Sequence, residues 1–165
     1  MFHSMFNLFR YIVFLCLLIP FLSGCNQSQR PAGLPPLHPC TITVTQNGVP
    51  VTDVSVQLIA KEESVWPVTG ITDTSGNAAL VTYGRFQGVP VGDYIVVLSK
   101  RLTESDTPAN EYVSGITHVY SLIDNKYSTA ETSSLEMSVK KGRNSMSFDI
   151  GSPVRILVDT IRPGT

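Results

Sequence analysis

From Cys40 onward, apolar and polar positions alternate with a period of two, and no stretch of ten or more residues keeps the three-to-four spacing of an amphipathic helix. Ile42 and Val44 alternate with Thr41, Thr43 and Thr45 before the turn pair Asn47-Gly48, and Val54, Val56, Leu58 and Ala60 then share one face against Ser55 and Gln57. The pattern predicts a strand over 65–72, a turn at Asp73-Thr74-Ser75-Gly76-Asn77 and a further strand over 78–83. Gly88-Val89-Pro90-Val91-Gly92 punctuates the chain before a strand over 93–100, in which Tyr94, Val96 and Leu98 oppose Ile95 and Val97. Apolar on both faces, that strand reads as central. Leu135, Met137 and Val139 alternate with Glu136 and Ser138, Lys140-Lys141-Gly142-Arg143-Asn144 turns the chain, and Met146, Phe148 and Ile150 follow. Val154, Ile156 and Val158 close the series, with Arg155 outside. About seven to eight short strands without helices predict an all-β, antiparallel β-sandwich spanning 40–165.

Residues 102–133 break this rhythm, with Pro108, several Ser and Thr, and the aromatics Tyr112, Tyr120 and Tyr127. A structureless loop of that length is uncommon in a compact domain unless it is functional. An extra strand is expected over 117–123, and the tyrosines of this excursion, with the sole tryptophan Trp66, are the expected ligand surface.

Ahead of the strands the composition changes twice. Arg10 carries the positive charge before an apolar run from Tyr11 to Leu22, too short for the roughly 20 residues of a membrane-spanning helix. The run ends in Leu22-Ser23-Gly24-Cys25, which resembles a bacterial lipobox: a cysteine thiolate to accept a diacylglyceryl group, preceded by small residues that fit a signal peptidase. The expectation is a signal peptide over 1–24 and lipidation at Cys25. Residues 25–39 carry Pro31, Pro35, Pro36 and Pro39 and read as a semi-rigid spacer; some 14 residues at about 3.1 Å each would reach roughly 40 Å.

Charge and cysteine content narrow the partners. A net charge of −1 with 15% charged residues offers no polycationic surface, so nucleic acid is not an expected partner and membrane attachment has to come from lipid. Of three cysteines, Cys16 leaves with the signal and Cys25 is acylated, so Cys40 is expected as a small buried residue without a disulfide. Asn26 stands where some bacteria use an aspartate to retain lipoproteins in the inner membrane, which points to the outer membrane, with the domain on the periplasmic or external side.

Gly70-Ile71-Thr72-Asp73-Thr74-Ser75-Gly76-Asn77-Ala78, followed by Gly88-Val89-Pro90-Val91-Gly92-Asp93-Tyr94-Ile95-Val96, resembles the carboxypeptidase regulatory-like domain, in which a T-D-x-x-G turn precedes a P-x-G-x-Y entry to a central strand. The resemblance covers about 41–158 and implies a transthyretin-like (prealbumin-like), immunoglobulin-like sandwich. Together with the lipobox, the spacer, Lys126-Tyr127, Thr132-Ser133-Ser134-Leu135 and Gly142-Arg143-Asn144, it is similar to small lipoproteins of planctomycete-type bacteria. Such a module implies a non-catalytic binding or structural role, because the regulatory-like domain is the accessory part of its enzymes.

Catalytic alternatives find little support in the residues. Transthyretin-like hydrolases use histidines, an arginine and a Tyr-Arg-Gly-Ser tail, whereas this chain reads Asp159-Thr160-Ile161-Arg162-Pro163-Gly164-Thr165, with His38 in the spacer and His118 in the excursion. No G-x-S-x-G elbow and no H-x-x-E zinc pattern occurs, and His38-Pro39-Cys40 is far from a zinc set. Glu62, Glu63, Asp73 and Asp106 are scattered loop carboxylates, so neither a metal nor a cofactor beyond the lipid on Cys25 is expected. The remaining alternatives are a carbohydrate- or envelope-polymer-binding module using Trp66 and the tyrosines, and an assembly partner that pairs through an edge strand.

Overall fold

The computed structural model describes residues 30–106 and 115–162, so Leu22, Ser23, Gly24, Cys25 and Tyr112 lie outside the described residues. Contacts divide the chain at Leu34. In the described end of the first unit, the Leu34 amide donates to the Pro31 carbonyl at 3.2 Å, closing a short turn.

From Pro35 onward the described residues are all β apart from one 3-10 turn. In order, the strands are β1 Leu37–His38, β2 Cys40–Gln46, β3 Val49–Pro50, β4 Ser55–Ala60, β5 Val68–Ile71, β6 Asn77–Ala79, β7 Val81–Thr82, β8 Phe86–Gln87, β9 Val89–Pro90 and β10 Gly92–Ser99. They continue as β11 Arg101–Ser105, β12 Thr117–Ser121, β13 Glu136–Val139, β14 Asn144–Asp149 and β15 Ile156–Ile161, with the 3-10 turn Asn125–Tyr127 after β12. The seven to eight strands expected are thus cut into shorter pieces. The predicted strand over 78–83, for instance, is β6 and β7 separated at Leu80, whose amide donates to the Cys40 carbonyl at 3.0 Å.

One sheet runs β13-β10-β4-β5-β7-β8, and a second places β14 and β3 on either side of β2, with β6 also paired to β2. The core lies between them. Cys40, Ile42 and Val44 of β2 meet Val56 and Leu58 of β4, Tyr94, Val96 and Leu98 of β10, and Met137 and Val139 of β13 in one buried cluster. Ile42, Val44, Val56, Val96 and Leu98 have no solvent exposure, and burying such a side chain contributes about 1.5–3 kcal/mol. β10 is central, between β13 and β4, and buries Tyr94, Val96, Val97 and Leu98, as its two apolar faces predict.

Two features correct the expected topology. β14 runs parallel to β2, from Asn144 opposite Cys40 to Asp149 opposite Thr45, so the sandwich is not wholly antiparallel. The last strand does not close the sandwich. β15 joins β12 and β11 in a separate antiparallel three-stranded sheet, and Leu157 and Ile161 are 52% and 54% exposed. Within the irregular excursion β11 pairs antiparallel with β12, from Arg101 opposite Ser121 to Ser105 opposite Thr117.

The predicted turns form as their chemistry requires. Asn47 and Gly48 both have positive φ, 49° and 78°, and join β2 to β3 as a two-residue hairpin loop. Asp73 Oδ1 accepts from the amides of Ser75 at 2.8 Å and Asn77 at 2.9 Å, closing the turn before β6. Gly92 is not held in the left-handed region, and a side-chain carbon there would meet the Tyr94 ring at an ordinary contact distance of 3.4 Å, so the expected bend does not depend on glycine. The Tyr94 hydroxyl, carried into the core, donates to the Pro90 carbonyl at 2.9 Å, satisfying the one polar atom of a buried ring.

The spacer is shorter than its composition suggests. Leu37 and His38 pair with Pro90 and Val89, and the Gly142 amide donates to His38 Nδ1 at 3.1 Å. Leu37 and His38, expected as part of the spacer, are a strand of the domain.

Cys40 is 4% exposed, with its thiol 3.8 Å from the Met137 sulfur across the two sheets. Burial pushes the thiol up to about 11 from 9.0. Because the folded value is raised, this group supports the fold fully below pH 9, and the contribution is lost as pH rises through 11. At pH 8 the Cys40 thiol is expected to resist maleimide in the folded protein and to react once the chain is denatured, as peptide mapping would show.

Candidate functional site

Two surfaces gather the aromatic and ionisable side chains that lie outside the core. The first is on the β11-β12-β15 sheet. Side chains two apart on a strand share a face, so His118 and Tyr120 of β12 lie together, with Glu104 opposite His118 on β11. The half-buried Tyr120 ring carries the Arg155 guanidinium 4.1 Å from its centroid, and Arg155 is ion-paired to Glu104. His118 Nε2 is 3.2 Å from Asp106 Oδ2, and His118 Nδ1 is 3.4 Å from the Thr160 hydroxyl. An acid, an imidazole and a hydroxyl in a row resemble the parts of a nucleophilic relay. At 3.4 Å, however, the hydroxyl is at the limit of a hydrogen bond, and a base needs roughly 2.6–3.2 Å to take its proton. The geometry fits a polar clasp that fastens β15 to β12, with each charge met by a neighbour.

The second surface surrounds Trp66. The link from β4 to β5 leaves the sheet at Lys61 and returns through Pro67, and Trp66 stands half-buried just before that return. The Trp66 indole makes an edge contact with Tyr83, ring centroids 6.3 Å apart and planes at 70°. Tyr83 is held there by the β7–β8 turn: its φ is +57°, and its amide donates to the Pro67 carbonyl at 2.7 Å. The backbone next to one ring thus fixes the other.

Trp66 lines two clefts. One, of about 300 Å³, is walled by Glu62, Glu63, Trp66, Val91, Asp93 and Tyr94; the other, also about 300 Å³, includes Gln57, Ile59 and Pro67. Lys61, next in sequence to the acidic pair, is 2.7 Å from Glu136 of β13.

The chain matches no protein-family model, no curated protein and no solved structure. Among the described residues no helix is long and apolar enough to cross a membrane, and no three His, Cys, Asp or Glu side chains converge as metal ligands.

The expected ligand surface is not assembled as one patch. Trp66 stands in the β4–β5 link and Tyr120 on β12 of another sheet, and no ring contact joins them among the described residues. Tyr127 corrects the expectation outright. It is 8% exposed and part of the core, brought inward by the 3-10 turn that Asp124 caps through the Lys126 amide at 3.0 Å. Tyr83 is the partner that periodicity does not reveal, though a tyrosine before Gly84 in a short hairpin is a turn signal.

Proposed function

We propose that the chain is a lipid-anchored protein of the bacterial cell envelope. In this reading residues 1–24 are a signal peptide and Cys25 carries the lipid, and the all-β domain is a non-catalytic binding module of the carboxypeptidase regulatory-like, transthyretin-like type. The outer membrane is the proposed site of the anchor. The observation that carries the binding role is the Trp66 site: a half-buried indole, braced by Tyr83, forms a wall of two open clefts rather than filling the core.

A carbohydrate or envelope-polymer ligand is favoured over a purely structural role by the same site, because sugar rings stack on indoles while polar groups at the rim meet their hydroxyls. Trp66 is the only tryptophan, so its emission reports this place alone. Titrating the full chain in detergent with envelope glycans is expected to shift or quench that emission, and the Trp66→Phe chain is expected to lose binding of the same glycan by equilibrium dialysis. An emission unchanged across peptidoglycan fragments, neutral oligosaccharides and anionic polysaccharides would leave the glycan reading without support.

A further inference from the structure

We infer that the Trp66 cleft selects an organic cation, an ammonium or guanidinium group presented by its ligand. The inference rests on the binding-module reading and adds the charge of what is bound.

The two candidate surfaces differ in how their charges are met. On the β11-β12-β15 sheet, Arg155 is paired to Glu104 and stacked on Tyr120, and His118 is paired to Asp106. In the Trp66 cleft, Glu62 and Glu63 make no ion pair or side-chain hydrogen bond among the described residues, and no lysine or arginine lines its wall. The adjacent Lys61 is drawn away to Glu136. Asp93 stands at the far side of the cleft, where it accepts from Ser138 and borders a neighbouring cleft lined by Lys61 and Lys140, so the charge left for a ligand is that of Glu62 and Glu63. The lining therefore combines the unpaired carboxylates of Glu62 and Glu63 with the rings of Trp66 and Tyr94. An aromatic face attracts a cation through its quadrupole, best for tryptophan, and the attraction strengthens when a cleft removes part of the water. A neutral sugar would use the indole and leave the acidic pair unmatched.

The cation can be a basic peptide side chain or an amino sugar, and the probes separate them. The full chain in detergent is titrated with Nα-acetyl-lysine methylamide, with glucosamine and with neutral N-acetylglucosamine, reading Trp66 emission. Binding of the lysine derivative, of glucosamine or of both, at least ten-fold tighter than N-acetylglucosamine, supports the inference and identifies the source. Glu62→Gln with Glu63→Gln is expected to weaken that binding about ten-fold, and raising salt from about 0.05 to 0.5 M to weaken it several-fold. Both residues are exposed, and an unchanged melting temperature would show the variant folded.

N-acetylglucosamine binding as tightly as both the lysine derivative and glucosamine, or an affinity for the cation unmoved by the double substitution, overturns the choice of cation while the binding module stands. No emission change with any probe overturns the inference too, and the glycan titration then decides the wider reading separately.

Discussion

The Cys25→Ser chain is expected to leave the membrane. A serine hydroxyl is not a thiolate and forms no thioether, so the substitution removes every acyl chain at once. Each buried methylene contributes about 0.8 kcal/mol; one acyl chain holds a protein only marginally, and two or three hold it almost permanently. Twelve Lys and Arg stand against thirteen Asp and Glu, so net charge supplies no attraction to an anionic membrane in place of the lipid. In detergent phase separation the wild-type chain is expected in the detergent phase and Cys25→Ser in the aqueous phase, a change of at least about 100-fold in partition. Mass spectrometry is expected to show diacylglyceryl on the wild type alone. A variant that stays in the detergent phase would remove the anchor from the proposed function.

Gly76→Ala is expected to destabilise the domain strongly for a single added methyl. Gly76 has φ +75°, where a side-chain carbon costs roughly 1–2 kcal/mol by itself. That carbon would also lie 2.6 Å from the Val44 carbonyl oxygen, which is backbone and has nowhere to go. The Val44 amide donates to Gly76 O at 2.8 Å, its carbonyl accepts from Val51 at 3.1 Å, and its side chain is fully buried. A clash so placed must be relieved by moving β2, the middle of one sheet. We expect a loss of about 3 kcal/mol or more, seen as a fall of roughly 10 °C in the thermal midpoint by circular dichroism. Gly48→Ala separates the two causes. Its φ of +78° is similar but nothing lies within 4 Å, so only the conformational part, about 1 kcal/mol, is expected there. Equal losses at both positions would mean that the Val44 contact is not what makes Gly76 necessary.

These turns were readable because their chemistry is local: Asn47-Gly48 and Asp73 to Asn77 specify their own backbone. Strands facing a shared core were readable for the same reason that they fold, since Val56, Leu58, Val96 and Leu98 repeat every second residue. The β11-β12-β15 sheet gave no such signal at β11, because Arg101 to Ser105 is solvated on both faces and has no side that must be apolar. Strand direction is equally silent: alternation in β14 is the same whether it runs with β2 or against it. Tyr127 was misplaced because an aromatic among polar neighbours reads as exposed, while the face it takes is decided by the 3-10 turn beside it. The Trp66 cleft was half legible. Its tryptophan and its acidic pair stand in the sequence, but the return of β9 and β10 that brings Val91 and Asp93 to the same cleft does not.

The parallel pairing of β2 with β14 has a mechanical meaning in the proposed anchored form. The lipid lies before the first residue of β2, and a load taken up beyond β14 would draw the two neighbours in opposite senses along their length. Six registered residue pairs, Asn144 with Cys40 through Asp149 with Thr45, would then resist together in shear instead of parting one after another.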